Sequence, residues 1–167
     1  MPVNLLAETA PRSTVFDLVL IVHIAAVVVS LVIMVAMYAA AISLGRGVPG
    51  RAWPGGAVRF FSPGREVAGR TLYLIPLSGI VLVLVSHESY TFSTSFVVSG
   101  SVLWLIAIVV AEVMIFRSAS RLRLLISRQS VVPEVTQWSR PVSLLRWGID
   151  VVVVLLILGS ILMVAQP

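Results

Sequence analysis

Four apolar runs, at about 15–44, 70–86, 95–116 and 142–165, decide what this chain can fold into. Each is near or above the ~17–20 residues a helix needs to cross a ~30 Å hydrocarbon core, and the first carries no charge between Asp17 and Arg46. With 59% hydrophobic and 11% charged residues, the 167-residue chain stands far from soluble domains, which are roughly 25% charged. The expectation is an all-α integral membrane protein, one four-helix bundle spanning 1–167. No loop is long enough for a second domain.

A cleaved signal peptide is the alternative for the first run, because "AMYAAA" at 36–41 offers small residues. The run is far longer than the ~7–15 residues of a signal core, and Glu8 and Arg12 replace the usual positive cluster. The helix is therefore expected to be retained. Having no cysteine, the chain can use neither disulfides nor thiolate chemistry. All twelve basic residues are arginine, a bias that fits a GC-rich bacterial genome. The net charge of +5 does not point to nucleic acid, because the arginines lie where membrane topology would put them.

The loop between the first two helices holds Arg46, Arg51, Arg59, Arg65 and Arg70, and the one before the fourth helix holds Arg117, Arg121, Arg123, Arg128 and Arg140, with Arg146 just inside the next helix. "HESYTFSTS", between helices two and three, has none. The positive-inside rule then makes the two basic loops cytoplasmic and leaves the N- and C-termini outside. Gly and Pro exclude a regular helix through most of the first basic loop, and "RFF" at 59–61 suits the lipid interface. "RSASRLRLLISRQ" keeps good helix formers, so helix three is expected to run from 95 past 117 to about 129. Arg117, Arg121 and Arg128 would then face water or anionic headgroups as a lipid-binding stripe. Pro133 and Pro141 are expected to bracket a linker, with Trp138 and Trp147 as interfacial anchors.

Small residues on one helical face, Ala36 with Ala40, Ala107 with Ala111, and Gly148 with Gly159, permit close approach of helices in a membrane. Pro76, beside Ser78 and Gly79, is expected to bend helix two.

Glu112 lies five residues before Arg117, about 7.5 Å at 1.5 Å per residue, so it sits near the inner surface. Asp150 comes to a similar depth one turn beyond Arg146, and Arg70 opens helix two on the same side. The first reading is structural ion pairs: Arg146 with Asp150, and Glu112 with Arg70 or Arg146. The sharper reading makes Glu112 and Asp150 a proton relay, although helices three and four offer mostly Val, Leu and Ile further out.

On the outer side, Asp17, His23, His87 and Glu88 form a second group. His23 and His87 are the candidate ligands for a divalent metal or haem, without a recognised metal-ligand spacing to support them. Met34 and Met37 are read as packing residues. No nucleophile motif, phosphate-binding glycine loop or metalloprotease motif occurs, and the expected cofactor is none.

The stretch from "GRTLYLIPLSGIVLVLV" through "VLWLIAIVVAEVMIFRSASRLRLL", with "LVLIVHIAAVV" in helix one, resembles a family of small four-helix bacterial inner-membrane proteins described as a domain of unknown function. The likeness covers the layout of most of the chain. That family looks distantly similar to the copper-resistance D type and to the haem-using membrane protoporphyrinogen oxidases. In those oxidases a first-helix histidine and a later lysine matter; His23 corresponds to the first, and this chain has no lysine. The composition also resembles that of small accessory subunits of actinobacterial respiratory supercomplexes.

The sequence thus leads to the expectation of a non-enzymatic accessory or structural subunit of the bacterial cytoplasmic membrane. It would pack against a larger, respiratory-type complex and membrane lipids, with a homo-oligomer as a further possibility. The alternative is a small transporter or haem- or metal-binding redox protein using His23, with Glu112 and Asp150 relaying protons.

Overall fold

The computed structural model describes residues 14–62, 70–86, 90–128 and 131–165. Arg65, His87 and Glu88 fall outside them. Helix α1, Thr14–Gly45, is unbroken because no Gly or Pro interrupts its apolar run before Gly45. Gly45, Gly47, Pro49 and Gly50 then stop it. Gly50 turns the chain at φ 78°, a left-handed conformation that costs glycine little.

A short helix, α2, covers Gly55–Phe60. The 3₁₀ turn Arg70–Tyr73 leads into α3, Leu74–Val85. Helix α4 runs from Ser95 to Arg128, with a π-helical turn at Ala111–Phe116, and α5 covers Val135–Val164. Among the described residues there is no strand, only an isolated antiparallel bridge between Ala52 and Val131. The fold is all-α, and α1, α4 and α5 are long and apolar enough to cross a membrane; Arg70–Val85 is a shorter apolar segment.

Two prolines act differently from expectation. Pro76 is the third residue of α3, where its missing N–H removes no helical bond; the irregularity lies before it, in the 3₁₀ turn. Pro141 does not close a linker, because α5 already begins at Val135 and carries Pro141 in its interior. A buried Trp138 secures that first turn, its indole N–H donating to the Pro133 carbonyl at 3.2 Å. Trp138 is therefore a core residue, whereas Trp147, 64% exposed, is free to act as the anchor.

The apolar helices alternate in direction. His23 of α1 meets Ser78 of α3, Tyr38 of α1 meets Arg146 of α5, and Met114 and Ile115 of α4 lie against Gly148 of α5. The start of α1 and the end of α5 consequently share one end of the molecule, and the two arginine-rich segments share the other. There the bridge ties them together, with Gly50 N–H donating to the Val132 carbonyl at 3.0 Å and Val132 N–H to the Arg51 carbonyl at 2.7 Å.

Burial along α1 does not follow hydrophobicity. Its buried side holds His23, Ala26, Ser30, Met34, Met37, Ala40, Ala41 and Leu44, while Leu18, Ile21, Val22, Val28, Val32 and Val35 are exposed. In hydrocarbon, Val and Leu gain nothing by turning inward, so small, polar and flexible residues take the contacts. Met34 and Met37 are packing residues, as expected.

Candidate functional site

Among the polar side-chain contacts that join the described helices, four stand out, and the innermost centres on His23. Its side chain is buried, with Nδ1 2.9 Å from Ser78 Oγ. The Ser78 hydroxyl lies 2.7 Å from the Leu74 carbonyl and 3.0 Å from that of Ile75. One hydroxyl hydrogen directed at the backbone leaves Oγ as acceptor for His23. Nδ1 is then the protonated nitrogen, and Nε2 carries the lone pair. Gly79 makes room for the ring, since a Cβ there would stand 3.5 Å from His23 Cε1.

His23 Nε2 is buried with no hydrogen-bond partner among the described residues. The His23 side chain also lines a cavity of about 50 Å³ between α1, α3, α4 and α5. Ile75, Trp104, Leu156, Ser160 and Met163 complete much of its wall. Trp104 is committed elsewhere, its indole N–H donating to the Leu72 carbonyl at 3.2 Å, and Ser160 donates to the Leu156 carbonyl at 2.8 Å.

The space suits one or a few waters and lies far below the ~300–1,000 Å³ of cofactor pockets. A haem does not fit beside His23. His87, the second expected ligand, lies outside the described residues, and no group of three metal-capable side chains occurs among those described.

The second fastening is Tyr73 to Glu112. The phenol at the end of the 3₁₀ turn donates to Glu112 Oε1, and Glu112 sits in the π turn of α4. A π turn inserts one residue into a helix and re-aims the side chains within it. Gly148 of α5 packs on this turn so closely that a Cβ would come within 2.9 Å of Ile115 Cγ1 and Met114 Cβ. The small residue on α5 and the widened turn on α4 are therefore one device, and Glu112 is part of it.

The third is Arg146, whose guanidinium carbon lies 5.5 Å from the centre of the Tyr38 ring, within cation–π range. The fourth, weaker, is Ser30 Oγ to Thr71 Oγ1 at 3.4 Å. The structure thus partners the expected ion-pair residues differently: Glu112 takes a phenol and Arg146 an aromatic face. No salt bridge joins Arg70, Glu112, Arg146 or Asp150 among the described residues. All four are exposed. Arg117, Arg121 and Arg128 are likewise exposed along the last three turns of α4.

Of the small-residue faces, Ala40, Ala107, Ala111 and Gly148 are buried within the chain, whereas Ala36 is exposed and a Cβ on Gly159 would meet nothing within 4 Å. Sequence reasoning missed the partners Ser78, Tyr73 and Tyr38. Their signal was available, since each is a hydroxyl-bearing residue within or beside an otherwise apolar run. Comparison with protein-family models, curated proteins and solved structures finds no significant match.

Proposed function

We propose that this chain is a four-helix protein of the bacterial cytoplasmic membrane, with its basic end in the cytoplasm and its termini outside, serving as a non-catalytic accessory subunit of a larger membrane complex. The observation that carries this reading is the use of polar side chains in the apolar helices. His23, Tyr73 with Glu112, and Arg146 each hold one helix to another, which is the work of a scaffold. Meanwhile the outward faces of α1, α4 and α5 present Val, Leu and Ile for lateral contact with lipid or protein. The placing of both arginine-rich segments at one end supports the orientation. A respiratory assembly is the class of partner that the composition suggests.

The test is affinity purification of the tagged chain from its native membrane in mild detergent, followed by identification of co-purifying proteins. Stoichiometric recovery with a large assembly is expected. Recovery of the chain alone, or as a homo-oligomer only, would overturn the accessory role.

A second reading is favoured by one observation, the buried and unpartnered Nε2 of His23 beside a cavity. In it the chain is a small transporter in which His23 accepts a proton and Glu112 and Asp150 serve the basic end. Proton flux in vesicles that disappears in His23→Ala would select this reading over the first.

A further inference from the structure

His23 stands level with Ser160 across the bundle. Helices α1 and α5 run in opposite directions and meet where Arg146 lies over Tyr38. His23 comes fifteen residues before Tyr38 and Ser160 fourteen after Arg146, about 22 and 21 Å along the two helices toward the same end. Both residues line the cavity of about 50 Å³ between α1, α3, α4 and α5. That volume is several times the ~10–15 Å³ that admits one water.

The polar side chains of this lining are short of hydrogens to donate. Ser160 directs its hydroxyl hydrogen to the Leu156 carbonyl at 2.8 Å, which leaves Oγ with lone pairs only. His23 pairs with Ser78 through Nδ1, so Nε2 is an acceptor too, and it is buried with no partner among the described residues. Trp104, the other donor in the lining, gives its N–H to the Leu72 carbonyl. Two acceptors cannot satisfy each other. A cation could bridge them, but no carboxylate lines the cavity to balance its charge, and an uncompensated charge among apolar helices is expensive. A small neutral molecule with two hydrogens to donate meets both needs.

We propose that the cavity is a water site, in which one water donates one hydrogen to His23 Nε2 and the other to Ser160 Oγ. The water ties α1 to α5 as Ser78 ties α1 to α3, and it holds the imidazole in a single tautomer. His23 thereby becomes the junction of three helices. The site depends on the packing of the helices, and on neither the accessory role nor the transporter alternative.

The test is nitrogen NMR of the full chain in hydrated lipid bilayers, with ¹⁵N in the histidine rings. The chain has two histidines, so a His87→Gln background assigns the signals to His23. The expected spectrum shows Nδ1 protonated and Nε2 bare, with magnetisation passing from water protons to Nε2. Ser160→Ala removes one of the two partners a buried water needs and should abolish that transfer. Ser101→Ala, which removes an equivalent hydroxyl from the exposed side of α4, should leave it unchanged.

A protonated Nε2, or a bare one that receives no magnetisation from water, would overturn the site. Transfer that persists in Ser160→Ala would overturn the bridge to α5. Far-UV helicity, unchanged in Ser160→Ala, separates loss of the water from loss of the fold.

Discussion

Tyr73 donates its phenolic hydroxyl to Glu112, linking the 3₁₀ turn before α3 to the π turn within α4. The bond fixes the depth of the shortest apolar segment against one of the longest helices. Because both ends of this bond reach the surface, its net worth is modest. Tyr73→Phe is expected to cost about 1 kcal/mol, read as a lowered melting temperature in detergent. Glu112→Gln keeps an acceptor oxygen and should cost less. Equal losses in both variants would show that the bond depends on the charge of its acceptor and not on an acceptor oxygen alone.

The His23–Ser78 pair is the best shielded of the fastenings. Ser78→Ala leaves His23 Nδ1–H without its acceptor in an apolar surrounding, an arrangement that costs ~1–3 kcal/mol. His23→Ala removes the ring and enlarges the neighbouring cavity as well, so it should be the more destabilising of the two. Thermal unfolding in one detergent ranks them, and a Ser78→Ala variant as stable as wild type would remove the pair from the account.

Gly148 and Gly159, about three turns apart on α5, offer a matched contrast. Gly148→Ala drives a methyl to 2.9 Å from Ile115 and Met114, and overpacking of this kind costs ~1–3 kcal/mol. Gly159→Ala meets nothing within 4 Å and should be neutral or slightly stabilising, as glycine is a poor helix former. The comparison of their melting temperatures tests the contact between α5 and the π turn.

Arg146 should act through Tyr38. Arg146→Ala and Tyr38→Leu are each expected to destabilise by ~0.5–2 kcal/mol. The double variant should be less destabilised than the sum of the two, because both remove one interaction. Strict additivity in this cycle would mean that the two side chains merely lie near each other.

The bridge between Ala52 and Val131 holds the two arginine-rich segments together. As the native chain has no cysteine, Ala52→Cys with Val131→Cys introduces one unambiguous pair at antiparallel-bridge spacing, close enough for a disulfide. Oxidation should give a faster-migrating monomer on a denaturing gel. In intact cells, either single cysteine should resist membrane-impermeant reagents added from outside; ready labelling would reverse the proposed orientation.

Helix positions were legible wherever a local rule sets them. The ends of α1 at Thr14 and Gly45 follow from an apolar run stopped by Gly and Pro, and the continuation of α4 to Arg128 from helix formers without a breaker. The start of α5 was not legible. Pro141 is a local stop signal, and a tertiary contact overrode it when Trp138 packed into the core and bonded the Pro133 carbonyl. The candidate site was legible by half: His23, Glu112 and Arg146 stand out as polar residues in apolar runs, but their partners do not.

The sequence by itself determined that the chain is helical and apolar enough to cross a membrane, and that its arginines gather in two segments. Helix formation depends on neighbours in the chain, and span length on an unbroken count of apolar residues. Only the tertiary structure decided which face of each helix turns inward. In a chain whose helices are apolar all round, hydrophobicity no longer distinguishes inside from outside. That choice passes to shape and hydrogen bonding: Gly148 against a π turn, Ser78 against His23, and Tyr73 against Glu112.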